Sequence, residues 1–102
     1  VIVVLGHSDC GAVKGTHNVQ LGNLTATLAN IRPAIEQTSG IPGKHSSKNH
    51  QLVQAVADTN ARLAATMLLD RSVVLSELVD AGALKVVAAM HDVHTGKVTV
   101  FG

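Results

Sequence analysis

Apolar residues gather in two dense runs near the ends of the chain and recur at spaced positions between them. The first run, Val1–Leu5, is continuous, aliphatic and mostly β-branched, and Gly6 ends it. Such a run predicts a strand buried on both faces of a parallel sheet. From Asn23 to about Thr38, Leu24, Leu28, Ile31 and Ile35 recur at helical spacing. Pro33 lies inside this segment and predicts a kink or break near Arg32, because proline lacks the amide proton a helix interior needs. Residues 11–16 suit a short helix or turn. Gly, Pro and Ser then collect in a loop from Ser39 to about Ser47.

The longest periodic stretch is 48–70, where Leu52, Val53, Val56, Leu63, Met67 and Leu68 stand among many alanines. Its wide apolar arc predicts a helix central to the core or packed on a partner subunit. Ser72 suits the N-cap of a second, shorter helix, and Gly82 its C-terminal stop. The second dense run, "ALKVVAAMHDV", predicts another strand, and "HTG" before "KVTVFG" predicts a hairpin with Gly96 in the left-handed position. Two apolar strands joined by helices favour parallel pairing in one sheet. The expected fold is therefore α/β: a mostly parallel central sheet flanked by helices, with a C-terminal hairpin whose last strand is an antiparallel edge strand.

Composition narrows the function. The chain has 102 residues, a formal net charge of +1, one Phe and no Trp or Tyr. With no basic cluster and no aromatic platform on which bases could stack, nucleic-acid binding is not expected. No apolar run reaches the roughly 18 residues that a membrane span requires. A single cysteine forms no internal disulfide. The cytoplasm is the expected compartment, with a periplasmic or organellar one left open because the chain starts at Val1, inside a predicted strand.

The candidate chemistry lies in "GHSDCG", residues 6–11, where the first strand turns toward a helix. Ligand sites of open α/β sheets collect at the carboxyl ends of strands. A phosphate loop is excluded, since Lys14 comes three residues after Gly11 and no Ser or Thr follows it. The six residues leave three readings open. His7 and Cys10 can chelate a metal, zinc being the natural choice for mixed nitrogen and sulfur donors. Cys10 can be a nucleophile with His7 as its base. Or the pair is a half-buried thiol beside a turn histidine with no chemistry. The other histidines, His17, His45, His50, His91 and His94, are expected at solvated positions. Arg32 and Arg62 are expected to be exposed or paired with carboxylates such as Glu36 and Asp58. Asp9, between the two donors, is expected to face solvent or the backbone.

Three stretches widen the context. "VVLGHSDCGAVKG" resembles the second zinc motif of the β-class carbonic anhydrases, a strand ending in G-H-(S/T)-x-C-G. "NLTATLANIRPAIE" is similar to the family's following helical segment. "LKVVAAMHDVHTGKVTVFG" resembles its closing strand and hairpin, with a D-x-x-T-G-x-V turn. The resemblance covers essentially all of the chain but only the C-terminal half of the family's catalytic domain, so 1–102 is read as a single domain forming that part. It implies that His7 and Cys10 are two zinc ligands and that Gly11 offers its backbone N–H to a substrate oxygen. It also implies reversible hydration of carbon dioxide to bicarbonate by the intact protein, which is expected to be a homodimer or higher homo-oligomer. The family's third protein ligand is a cysteine in an upstream C-x-D-x-R motif, which this chain lacks. The 102 residues alone are therefore expected to bind zinc weakly and to be inactive. A non-catalytic carbonic-anhydrase-like assembly module is the alternative.

Overall fold

Two strands pair in parallel because helical segments separate them by enough chain to cross over. In the computed structural model, which describes residues 1–18, 28–43 and 48–101, β1 (Ile2–His7) runs beside β2 (Val86–His91) from Ile2↔Val86 to His7↔His91. β3 (Val98–Phe101) returns antiparallel on the other side of β2, from His91↔Val98 to Ala88↔Phe101. The order β1-β2-β3 makes β2 central. The expected architecture is thus observed, antiparallel edge strand included. Gly96 adopts φ 77° in the hairpin, a conformation glycine takes without a Cβ penalty.

Among the described residues the helices include α1 (Gly11–Asn18), α2 (Arg32–Gln37), α3 (His50–Arg71) and α4 (Val73–Asp80). The helical segment anticipated over 23–38 breaks at Asn30–Ile31, and α2 starts just beyond. Pro33 is tolerated there because the first turn of a helix has no partner for its missing N–H. Leu24 and His45 lie outside the described residues. Asn49 caps α3, its side chain accepting from the Leu52 amide at 3.2 Å, and Ser72 caps α4 by accepting from Leu75 at 3.2 Å. Gly82, at φ 75°, closes α4. Its N–H reaches Val79 O at 3.0 Å and the Ala83 N–H reaches Leu78 O at 2.9 Å, which is the double bond of a Schellman stop.

The core forms where α3 lies across one face of the sheet. Leu52 and Val56 are fully buried there, and Val13, Leu28, Ile31, Ala34, Val53, Ala57 and Met90 complete the cluster. With no aromatic residue except Phe101 beside it, close approach supplies the density. A Cβ placed on Gly6 would stand 2.8 Å from the Met90 methyl and 3.5 Å from that of Ala61. The expectation that β1 is buried on both faces is not met. Its burial alternates, and Val3 and Leu5 are half exposed on the face turned away from α3.

Candidate metal centre at the end of β1

A strand that ends on glycine and turns into a helix presents its next residues at the sheet's carboxyl edge. His7 is the last residue of β1, and Ser8 and Asp9 form the turn. Cys10 stands just before α1, its carbonyl accepting the first helical bond from the Lys14 amide at 3.0 Å. The thiol is partly buried and packs against the core cluster, whereas His7 is exposed. Both line one cavity of about 250 Å³ beside β1, whose far edge has no strand partner among the described residues. Its other walls are largely apolar, from Val4, Leu5, Val13, Ala61 and Ala64, with Asn60 adding a polar group.

The hydrogen bonds decide which nitrogen of His7 is available. Nδ1 lies 2.9 Å from the Ser8 carbonyl oxygen. A carbonyl only accepts, so Nδ1 carries the proton and Nε2 keeps its lone pair. That tautomer is the one a metal-binding imidazole adopts when its second nitrogen is anchored to the backbone. An imidazole nitrogen and a thiol on one cavity wall are two donors suited to zinc. They are not a complete shell: among the described residues, no group of three or more His, Cys, Asp or Glu side chains could hold a metal ion. Gly11 opens α1 in an exposed position, and nothing lies within 4 Å of where its Cβ would be. A small ligand could therefore approach its backbone closely.

The turn is tied to the β2–β3 hairpin by three contacts. The Ser8 amide donates to His91 O at 2.9 Å, and the Val93 amide donates to Ser8 Oγ at 3.0 Å. Asp9 takes the third. Its carboxylate accepts from His94 Nε2 and lies 3.5 Å from Lys14 Nζ. The hydrogen bond from His94, and after it the charge of Lys14, hold the Asp9 carboxyl below the usual carboxylate range. Asp92 is held down as well, chiefly because its carboxylate accepts from the His94 backbone N–H, at 2.9 Å.

These contacts correct several expectations. Asp9 is exposed as expected, and it is also paired with a histidine and a lysine of its own chain. His94 is exposed as expected but is paired, and His91 is half buried in β2. His17 lies in α1. Arg62 is exposed and stacks over the Phe101 ring at 4.2 Å, while Asp58 accepts from Gln54 at 2.8 Å. The Asp9–His94 pair spans 85 residues, which no local spacing reveals. One signal was present: parallel pairing brings the ends of "GHSD" and "MHDVH" to the same edge of the sheet.

A mixed sheet with helices, carrying an imidazole and a thiol at the carboxyl edge of its parallel pair, places the chain among α/β proteins, and comparison narrows the class to one family. The family model described as carbonic anhydrase matches residues 1–98, and the chain belongs to the β-carbonic anhydrases. No curated protein sequence matches it. Among solved structures, the β-carbonic anhydrase CafA of Aspergillus fumigatus is 26% identical with a TM-score of 0.79, over 97% of this chain and 47% of that one. A β-carbonic anhydrase from Sordaria macrospora, described as tetrameric, superposes with a TM-score of 0.80 at 21% identity, over 99% of this chain and 51% of its own. The β-carbonic anhydrase CcaA gives 0.76 at 22% identity, over 99% and 50%. The chain thus spans about half the length of the structures it matches.

Proposed function

We propose that this chain carries the histidine and one cysteine of a zinc site that hydrates carbon dioxide reversibly to bicarbonate in the intact protein. The observation that carries the reading is that His7, its Nδ1 bonded to the Ser8 carbonyl, and Cys10 line one largely apolar-walled cavity beside β1. Zinc supplies Lewis acidity that makes water nucleophilic at neutral pH. His7 would hold the ion through Nε2, with Ser8 O fixing the ring, and Cys10 would hold it as thiolate. A second sulfur donor would come from polypeptide outside these 102 residues that packs along the open edge of β1. The apolar walls favour an uncharged substrate over water, and the Gly11 N–H would donate to a substrate oxygen.

By this reading the 102-residue chain alone is inactive. Stopped-flow hydration with a pH indicator tests both halves. The intact protein with zinc turns over, Cys10→Ser and His7→Ala reduce it to background, and the isolated chain shows no rate above buffer. A rapid rate from the isolated chain, or an active Cys10→Ser protein, overturns it. The competing reading is a module that keeps the fold for assembly without catalysis. It is favoured by the lack of any three-donor group among the described residues, and zinc analysis of the intact protein decides between the two. We also propose that the intact protein is a homo-oligomer. The tetrameric Sordaria macrospora relatives and the exposed Val73, Val74 and Leu78 on α4 support this. Light scattering that reports a monomer overturns it.

A further inference from the structure

We propose that Asp9 and His94 form a positioning pair for the metal-binding turn, with His94 acting on His7 and Cys10 only through Asp9. The inference rests on the zinc reading above and adds two residues to it.

Asp9 is the only non-glycine residue with positive φ, 52°, among the described residues. A left-handed backbone is unfavourable for an L-residue, though Asp tolerates it better than most. Here that conformation stands between the two donors, one residue from Cys10 and two from His7. The carboxylate leaves the turn toward the hairpin, where His94 Nε2 and Lys14 Nζ meet it, and Asp9 is not among the residues lining the donors' cavity. An acidic side chain next to a metal site is a competing ligand unless something occupies it, and two donors occupy this one. The same contacts fix the conformation of the residue that spaces His7 from Cys10.

Magnitude separates positioning from stability. His94 is largely exposed, and an exposed pair adds little to folding because solvent and salt screen it. Groups that orient metal ligands, by contrast, typically change metal affinity by about 10–100-fold when removed. His94 acts one residue further out, so the lower end of that range applies. Ser8 Oγ and its amide already hold the turn's first residue to the hairpin. The Asp9 contact extends that hold to the residue beside Cys10.

The test is zinc affinity of the intact protein by chelator competition, together with the thermal midpoint of the zinc-free form. His94→Ala should weaken zinc about tenfold while the zinc-free midpoint stays within experimental scatter. His94→Gln, which restores an N–H donor of similar reach, should bring the affinity back to within about twofold of wild type. Asp9→Gly, which permits the same φ, should lose as much as His94→Ala, and the double variant no more than either. Unchanged affinity in His94→Ala overturns the pairing, and so does a His94→Gln variant as weak as His94→Ala. Failure of the zinc reading looks different: wild type binds no zinc, or Cys10→Ser binds it as tightly as wild type, and both conclusions then fall together.

Discussion

β1 and β2 are written in nearly the same alphabet, pair residue for residue, and each ends in a histidine followed within two residues by an aspartate. Their surroundings differ completely. β2 has a strand on each side, and Val87, Ala88, Ala89 and Met90 are all buried. β1 has one neighbour, and its residues alternate between the α3 face and an open one. Val3, Leu5 and Val100, half exposed on that open face, pair with Val87 and Ala89 in the ladder, Val3 with Val87 and both Leu5 and Val100 with Ala89. Position in the sheet, not strand composition, therefore sets how much each residue stabilises. The strand with an unpaired edge among the described residues, β1, is the one that ends beside the cavity lined by His7 and Cys10.

The largest expected effect sharpens this contrast. Met90→Ala, in the core at 7% exposure, should cost about 2–5 kcal/mol, since it opens a cavity against α3. Leu5→Ala, on the adjacent strand at 54% exposure, should cost less than about 1 kcal/mol. Urea midpoints with unchanged m-values measure both. Equal costs would mean that the open face of β1 is covered in solution, as the proposed homo-oligomer allows, and dilution of the sample would then separate the two values.

The turns that follow the strands differ in how they accommodate left-handed backbone. Gly96 takes φ 77° by having no side chain, whereas Asp9 takes φ 52° with one. Gly96→Ala should cost roughly 1–2 kcal/mol, while Asp9→Gly should change stability by less, because the relief of strain offsets the lost exposed contact. Thermal unfolding compares them directly. Ser8→Ala should cost about 0.5–1.5 kcal/mol, the net worth of the bond from the Val93 amide. A change well under that range would show that the Ser8 amide alone holds the turn to β2.

Features that follow from local chemistry were legible in the sequence. The capping serine at 72, the glycine stops at 82 and 96, the parallel pairing of the two apolar runs and the break before Pro33 each rest on a few adjacent residues. His7 and Cys10 were legible as candidates for the same reason, being three apart on one turn. The open face of β1 was not, because Val-Ile-Val-Val-Leu reads the same in a central strand and an edge strand. Nor was the Asp9–His94 contact, since residues 85 apart meet only once the register of β1 on β2 is fixed. The Asn49 cap was hidden by the loop that precedes it, where several polar residues compete for the role.

The smallest effect compares the two aspartates. Asp9 and Asp92 are both held below the usual carboxylate range, Asp9 mainly by the His94 side chain and Asp92 mainly by the His94 backbone N–H. A carboxyl whose native pKa is depressed binds fewer protons folded than unfolded, so its contribution is complete above the unfolded value near 4 and disappears as pH falls through the lower native value. Stability should therefore decline in the acid range below about pH 5, and Asp9→Asn and Asp92→Asn should each flatten that decline without altering the neutral plateau much. Both groups are exposed, so each share is small and screened by salt. His94→Ala separates them. It removes the chief group that holds Asp9 down, leaving Lys14, and keeps the backbone N–H that chiefly holds Asp92, so its acid limb should lie between those of wild type and Asp9→Asn. Urea midpoints from pH 3 to 7 at low salt read this out, and a His94→Ala limb as steep as wild type would show that Lys14 alone sustains Asp9.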